Sequence, residues 1–218
     1  MSEVVFEQKL ELLDRFVGKT LADKYKIIKE WRDSGLGKVY HAKHLLMDKP
    51  VAVKVLSPAL AVDVKIVNRF SAEARTVSGL THQNILNVTD FGSTNDGTVF
   101  IVFEDAEGET VNDVIKNGGD FEVERAVGIA RQIANVLAES HSKGVIHKHL
   151  SSETILLTQS PNGSNGVKVL DFGAVKPEDD GMFAEEPAAN DLKSLSPVQL
   201  TGAFEVDERS DIYSLGVI

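Results

Sequence analysis

The stretch Val51-Ala52-Val53-Lys54 places one lysine in an apolar, β-branched run that continues to Leu56, a pattern typical of a strand that presents one charged group. Three further stretches follow it in order along the chain. They are Phe70-Ser71-Ala72-Glu73-Ala74-Arg75 on a predicted helix, Asp171-Phe172-Gly173 after an apolar run, and the segment from Asp207 to Val217. Each stretch alone is short enough to occur by chance. Their order and spacing on one chain are the most specific signal in the sequence.

Short apolar segments separated by turn signals surround the first of these stretches. They predict five strands, at Tyr25–Trp31, Val39–His44, Pro50–Leu56, Asn87–Gly92 and Thr98–Glu104. Apolar residues near helical spacing predict one helix, Val62–Leu80, between the third and fourth strands. The first part of the chain is therefore expected to form a small α+β lobe.

The chain is predicted to become mainly helical after Glu107-Gly108. The expected helices are Thr110–Lys116, Phe121–Lys143 and one that begins near Ser210, and the expected strands are Thr154–Leu157 and Val167–Leu170. Gly144 stands just past the second helix, where glycine is favoured. Residues Glu3–Phe16 have one apolar face, which favours a helix that packs on the following domain or binds a partner.

Composition limits the function classes. The 218 residues are 42% hydrophobic, enough for a proper core, and the net charge of -10 argues against a surface for nucleic acid or anionic membranes. The chain has no cysteine, which excludes disulfides and thiolate chemistry. No signal-peptide core precedes Leu13, and the longest strongly apolar run, Val99–Phe103, is too short to cross a bilayer. We therefore expect a cytoplasmic chain.

Together the four stretches resemble the bacterial Ser/Thr protein kinases, from about Tyr25 to the end of the sequence. The resemblance implies an α+β, bilobal protein-kinase-like fold. Its N-lobe would hold a five-stranded antiparallel sheet plus one helix, and its mainly helical C-lobe would be truncated within its central helix. The implied domains are an N-terminal helical extension at residues 1–20, the N-lobe at 21–106 and a partial C-lobe at 107–218.

The resemblance also implies an ATP and magnesium site. Lys54 would meet the α- and β-phosphates, and Glu73 would hold Lys54 in position. Asp171 would bind Mg²⁺, which prefers hard oxygen ligands. The remaining implied contacts are Phe103 as gatekeeper, the backbone of Glu104 and Ala106 on the adenine edge, and Val39, Ala52 and Leu156 on the adenine faces.

The residues that handle phosphate depart from the family's pattern. The family's glycine-rich loop, G-x-G-x-x-G, has Arg32, Ser34 and Gly37 at its glycine positions, with Gly35 as an additional glycine. Glycines let backbone amides close over phosphates, so Arg32 and Ser34 are expected to stiffen or lift that loop. Arg32 could instead supply charge to a phosphate.

The catalytic loop departs from the pattern as well. His147-Lys148-His149 stands where the family carries His-Arg-Asp, so His149 replaces the aspartate that accepts the substrate's proton. The family's lysine two residues later is Ser151, and its second Mg²⁺ ligand, an asparagine, is Thr154. Between Phe172 and Lys193 no Ser, Thr or Tyr is available for phosphorylation.

Three functions remain open from the sequence. The first is a pseudokinase that binds ATP weakly, with magnesium, and acts as a regulatory or scaffolding module through protein partners. The second is an active Ser/Thr protein kinase that uses His149 as its base and transfers the γ-phosphate to protein hydroxyls. The third is a protein-binding module that binds no nucleotide.

Overall fold

The computed structural model describes residues 15–34, 36–159, 165–172, 193–201 and 206–218. Several sequence predictions lie outside these residues: the helix at Glu3–Phe16 except for its last two residues, Gly35, Gly173 and the acidic segment up to residue 192. The chain divides into two compact units. The first comprises residues up to Val67 together with Thr89–Asp105, and the second comprises Asn68–Val88 and Ala106–Ile218.

The first unit contains a six-stranded sheet with the strand order β1-β2-β3-β4-β6-β5. The strands are β1 (Thr20–Leu21), β2 (Tyr25–Ser34), β3 (Gly37–His44), β4 (Lys49–Leu56), β5 (Val88–Ser93) and β6 (Val99–Glu104). The five predicted strands correspond to β2–β6, with shifted ends. The sixth, β1, is only two residues long and therefore carries no alternation that sequence could reveal.

One face of this sheet forms the core of the first unit. Its members include Tyr25, Ile27, Tyr40, Ala42, Val51, Val53, Val55, Phe100 and Val102, with Phe16 and Leu21 packed against them. The Tyr25 hydroxyl donates a 2.6 Å hydrogen bond to Asp90. Burial, together with the Asp90 carboxylate, raises the pKa of Tyr25 well above its usual range. The neutral phenol therefore links β2 to β5 across the physiological pH range.

The hairpin of β2 and β3 carries two irregularities in register. Glu30 lies opposite Tyr40 and Arg32 lies opposite Val39, so Trp31 is an extra residue in β2 without a partner in the ladder. An extra residue of this kind can turn a side chain onto another face. Trp31 stacks on His41 of β3, with ring centroids 5.0 Å apart.

The second unit contains a three-stranded sheet and most of the helical residues. The sheet has the order β7-β8-β9, with β7 (Glu109–Thr110), β8 (Ile155–Gln159) and β9 (Asn165–Val169). The helices are α1 (Val64–Ser78), which begins in the first unit, α2 (Val111–Lys116), α3 (Val123–Ser142), α4 (Pro197–Thr201) and α5 (Glu208–Val217). No helix among the described residues is both long and apolar enough to cross a membrane.

Local signals explain where these helices begin and end. Thr110 caps α2 through a capping box with Asp113, and so the helix starts one residue later than predicted. Gly144 has φ of +71° just after α3, which confirms its predicted role as the residue that ends the helix. Asp207 caps α5, and that helix ends at Val217 rather than continuing to Ile218. Neither β7 nor α4 was predicted, because both are too short to show a period.

The second unit has its own core beneath α3. Ile133, Val136 and Leu137 of α3 are at most 1% exposed. They pack with residues from α1 to β9, among them Val77, Leu80, Ile85, Val111, Leu150, Ile155, Val167, Val169 and Phe172. The connection between α3 and β8, residues 143 to 154, crosses this core, and the catalytic-loop residues lie on it.

Candidate functional site

In the first unit, strand register separates the candidate nucleotide residues from the hydrophobic core. Val39 lies opposite Lys54, and Ala52 lies opposite Phe103. Residues directly opposite in an antiparallel pair project from the same face, as do residues two apart on one strand. Val39, Ala52, Lys54 and Phe103 therefore share one face, while the intervening Val53 belongs to the core on the other.

This face is fully covered at its centre. Ala52 and Lys54 are each 0% exposed, and Val39 is 3% exposed. Lysine is almost never buried to this extent unless it is paired, and both Lys54 and Glu73 of α1 take part in polar or electrostatic contacts. Glu73 is itself only 2% exposed. Both charged side chains are therefore buried, and each takes part in polar or electrostatic contacts.

The tip of the β2–β3 hairpin is tightly packed. The Leu36 carbonyl accepts a 3.1 Å hydrogen bond from the Ser57 N–H, and the Leu36 side chain is buried. A Cβ on Gly37 would lie 2.1 Å from the Val55 carbonyl oxygen, so only glycine fits there. Gly37 is therefore required by the packing of β3 on β4, whether or not a phosphate is bound. Gly35 lies outside the described residues.

Arg32 lies beside the single tryptophan of the chain. Its guanidinium carbon is 5.6 Å from the Trp31 ring centroid, and Nη1 donates to the Asp33 carbonyl oxygen at 3.5 Å. A guanidinium over an indole face is a favourable cation–π arrangement. Trp31, His41 and Arg32 thus form one stacked cluster, and sequence reasoning did not single out Trp31 or His41 as part of it.

In the second unit, Asp211 of α5 holds the backbone of the catalytic loop. Its carboxylate accepts hydrogen bonds from the N–H groups of His147 and Lys148, both at 2.8 Å, and contacts His141 Nε2 at 2.8 Å. Asp211 is 0% exposed, so its charge is offset by these three donors rather than by water. Lys148 adopts φ of +71°, a conformation that the two bonds help to maintain.

His147 is a neutral, fully buried residue beneath that loop. Its Nε2 lies 2.8 Å from the Leu170 carbonyl oxygen, which can only accept, while Nδ1 accepts from the His149 N–H at 3.3 Å. These partners specify the tautomer with the proton on Nε2. Burial lowers the pKa of His147. The ring also contacts Phe172, with centroids 4.6 Å apart.

The hydroxyl of Thr154 is used within the loop itself. Thr154 Oγ1 accepts from the Ser151 N–H and donates to the Ser151 carbonyl, both at 3.0 Å. The Thr154 carbonyl in turn accepts from the Leu170 N–H at 2.9 Å. These bonds make the turn after His149 compact, and they occupy the hydroxyl hydrogen of the residue at the position of the second metal ligand.

The remaining candidate residues differ in burial. Asp171 lies two residues after the end of β9, is partly exposed, and has φ of +61°. This backbone conformation is uncommon for a residue with a side chain. Leu156 of β8 is 0% exposed and Ala106 is 4% exposed. In the first unit, Glu104 ends β6 and is partly buried.

Sequence reasoning missed Asp211 as a site residue, although the motif that contains it was recognised. A signal was present: Asp211 precedes the apolar residues of the last helix, and a carboxylate on a helix side that becomes buried must find donors. The same holds for His141, which lies near the end of α3 on the side facing Asp211. Neither partner could be identified before the fold brought residues 70 positions apart into contact.

Comparisons with known proteins concern the domain as a whole. Residues 33–218 match the family model described as protein kinase domain. The serine/threonine-protein kinase pkn3 of Myxococcus xanthus is 37% identical over 210 residues, which cover 94% of this chain and 38% of that protein. The serine/threonine-protein kinase PrkC of Bacillus subtilis is 30% identical over 203 residues, covering 93% of this chain and 30% of that protein.

A solved structure is similar over most of the chain. The kinase domain of Mycobacterium tuberculosis PknI superimposes with a TM-score of 0.68 at 28% identity, covering 91% of this chain and 73% of that one. The chain spans only 38% of pkn3 and 30% of PrkC. The similarity therefore concerns the domain and not the whole of those relatives.

Proposed function

This chain belongs to the protein kinase domain family, with bacterial Ser/Thr kinases among its relatives, and from that premise we propose that it is a pseudokinase. In this proposal the domain binds ATP weakly, with magnesium, transfers phosphate poorly or not at all, and acts by binding protein partners. The proposal concerns the function of this domain alone.

One observation carries the proposal. The hydrogen bonds that hold the backbone of the catalytic loop are present, but the loop has a histidine at the position of the family's catalytic aspartate. Asp211, His147 and Leu170 fix the loop backbone through hydrogen bonds of 2.8 Å. The residue of this loop at the position of the family's catalytic base is His149, which lacks the negative charge of a carboxylate. Loss of a general base typically lowers rate about 10²- to 10⁴-fold.

The residues that would hold a nucleotide fit that ligand within each unit. Lys54 lies on one sheet face with the apolar Val39 and Ala52, which supports contact with a phosphate and a flat base respectively. Asp171 is partly exposed, and its carboxylate would be a suitable ligand for magnesium. A bound magnesium ion would supply positive charge to the phosphate oxygens. Glu73 would hold Lys54 in position, and Phe103, Glu104, Ala106, Leu156 and Gly37 would complete the contacts.

Two features support weak rather than tight binding and poor transfer. The hydroxyl of Thr154 already donates to the Ser151 carbonyl, so a second metal ion would have to rely on its remaining lone pair. The hairpin residues Arg32 and Ser34 replace glycines that would let backbone amides approach a phosphate. Both features lower the stabilisation available to a transferring phosphoryl group.

A thermal-shift titration tests the nucleotide part of the proposal. The melting temperature of the purified chain is measured against ATP concentration, with and without magnesium chloride. We expect a rise that grows with ligand concentration and is larger with magnesium. The magnesium-dependent part of the rise should disappear in Asp171→Ala. No rise at millimolar ATP would favour the module that binds no nucleotide.

A phosphotransfer assay tests the catalytic part. Radiolabelled ATP is incubated with a generic protein substrate and either the natural chain or Asp171→Ala. We expect equal, background incorporation with both. Incorporation that is clearly above background and lost in Asp171→Ala would establish the active Ser/Thr kinase, with His149 as the base, and would reject the pseudokinase.

A further inference from the structure

We propose that the side chain of Arg32 binds a polyphosphate group directly, so that this chain holds nucleotide phosphates without a divalent metal ion. The family's pattern has a glycine at this position. In that pattern, metal ions offset the charge of the phosphates. The inference rests on the proposed function in one respect, because the polyphosphate is taken to be that of ATP.

Strand register places Arg32 on the face of the sheet that carries the candidate nucleotide residues. Arg32 of β2 lies opposite Val39 of β3, and Val39 lies opposite Lys54 of β4. Residues directly opposite one another project from the same face, so all three share it. Neighbouring strands are about 4.8 Å apart, and the backbones at Arg32 and Lys54 are therefore about 10 Å apart. Two long cationic side chains at that spacing can both contact a chain of two or three phosphate groups.

The extra residue in β2 turns Arg32 toward this face. Residues two apart on a regular strand share a face. Glu30 lies opposite Tyr40, which belongs to the core face, whereas Arg32 lies opposite Val39 on the other face. A bulge redirects side chains in this way, and here the bulged residue is Trp31. In a regular strand the arginine would project from the core face, away from the nucleotide residues.

The acidic residues of the same hairpin lie on the opposite face. Lys38 Nζ is 2.7 Å from Glu30 Oε1 and 4.0 Å from Asp33 Oδ1. Lys38 precedes Val39 on β3 and lies opposite Asp33, so it projects away from the face of Arg32. Both carboxylates therefore contact a lysine on that far side. An anion beside Arg32 is separated from them by the sheet.

Arg32 is held in position and remains within reach of solvent. Its guanidinium carbon is 5.6 Å from the Trp31 ring centroid. Arg32 is partly exposed, whereas Lys54 is 0% exposed, so a ligand contacts Arg32 first. The Nε atom is buried, but Nη1 makes a 3.5 Å contact with the Asp33 carbonyl oxygen at the exposed surface. The Nη groups are therefore the donors for a phosphate, and a guanidinium keeps its charge at physiological pH.

Isothermal titration calorimetry with ATP tests the inference. The dissociation constant is measured in excess EDTA and in excess magnesium chloride. We expect the natural chain to bind ATP in both buffers, and Arg32→Met to bind it about tenfold or more weakly in EDTA. In magnesium the loss should be less than about threefold, because the ion then offsets the phosphate charge. Binding by the natural chain only in magnesium, or an equal loss in both buffers, overturns the inference.

Two further variants separate a specific contact from general attraction. Lys38→Gln removes one positive charge from the same hairpin on its other face, and should weaken ATP binding in EDTA less than about twofold at physiological salt. Arg32→Lys keeps the charge without the planar donors, and its affinity should lie between those of the natural chain and Arg32→Met. Equal losses in Lys38→Gln and Arg32→Met reject the site. So does an Arg32→Lys variant that binds no better than Arg32→Met.

Inorganic tripolyphosphate distinguishes failure of this inference from failure of the proposed function. It carries the phosphate groups without the base or the sugar, and it is titrated in EDTA up to about 5 mM. Binding that is lost in Arg32→Met supports the site, even where ATP does not bind and the nucleotide function fails. ATP binding that requires magnesium, with no binding of tripolyphosphate, overturns the inference and leaves the proposed function intact. No binding of either compound rejects both.

Discussion

The Asp211 carboxylate accepts a 2.8 Å hydrogen bond from the backbone N–H of His147, 64 residues earlier in the chain. The same carboxylate accepts from the Lys148 N–H at 2.8 Å, and it is fully buried. The conformation of the catalytic loop therefore depends on a side chain of the last helix.

Asp211→Ala should destabilise the chain. The substitution leaves buried N–H groups without an acceptor, and each unsatisfied buried group costs about 1–3 kcal/mol. We expect the free energy of unfolding in urea to fall by about 3 kcal/mol. Glu208→Ala, an exposed residue on the same helix, should change it by less than about 1 kcal/mol. A loss at Asp211 no larger than that at Glu208 would mean that the loop is held by other contacts.

His147 should make stability depend on pH. The unfolded imidazole titrates near 6.5, and burial lowers the pKa in the folded chain. Between these two values the unfolded chain binds more protons, so stability is complete above pH 6.5 and falls as the pH is lowered. The slope from this residue is at most about 1.4 kcal/mol per pH unit. Urea unfolding from pH 7.5 to 5.5 measures it, and His147→Gln should have a shallower slope.

Two glycine substitutions should act in opposite directions. Gly37→Ala places a Cβ 2.1 Å from the Val55 carbonyl oxygen, and the backbone must move to accept it. We expect a loss of about 1–3 kcal/mol. Gly128 lies inside α3, and apart from its chain neighbours and the helix's own backbone no atom is within 4 Å of a Cβ added there. Gly128→Ala should therefore raise the free energy of unfolding by about 0.5–1 kcal/mol. Thermal unfolding of both variants checks the pair, and a stabilised Gly37→Ala would contradict the described packing of β3 on β4.

The single tryptophan should report nucleotide binding. Trp31 stacks on His41, and His41 lies opposite Ala52, a candidate base-contact residue. We expect a saturable change in tryptophan emission as ATP with magnesium is added, because a ligand near the cluster of Trp31, His41 and Arg32 alters the environment of the indole. Lys54→Met should shift the titration to higher ATP. An emission change that is linear in ATP and identical in Lys54→Met would indicate an optical artefact.

Restoring the family's catalytic residues should raise phosphotransfer. His149→Asp supplies the carboxylate base, and Thr154→Asn supplies an amide oxygen at the position of the second metal ligand. The asparagine oxygen can also accept from the Ser151 N–H, as the threonine hydroxyl does now. Radiolabelled phosphotransfer by the double variant should exceed that of the natural chain by about 10²-fold or more. An inert but folded double variant would locate the block in the hairpin of Arg32 and Ser34.

Much of the fold was accessible to sequence reasoning because its signals are local. Alternation of apolar residues predicts β2–β6, and helical spacing predicts α1 and α3 to within two residues at each end. The errors concern elements too short to show a period, such as β1, β7 and α4. The boundary of α2 was displaced because the capping role of Thr110 was read as part of the helix.

For the candidate site, the sequence identified residues but not their contacts. Motif order alone identified Lys54, Glu73, Asp171 and the replacement of an aspartate by His149, since these depend only on which residue stands at which position. The roles assigned to them in nucleotide binding stay proposals.

The sequence by itself determined the family, the strands and helices of regular period, and the identities of the altered catalytic residues, because each is encoded in residue type and spacing. The tertiary structure alone decided how charges are satisfied. It brought Asp211 onto the backbone of His147 and specified the neutral tautomer of that histidine. Hydrogen bonds and burial depend on distances between residues far apart in the chain, and only folding sets those distances.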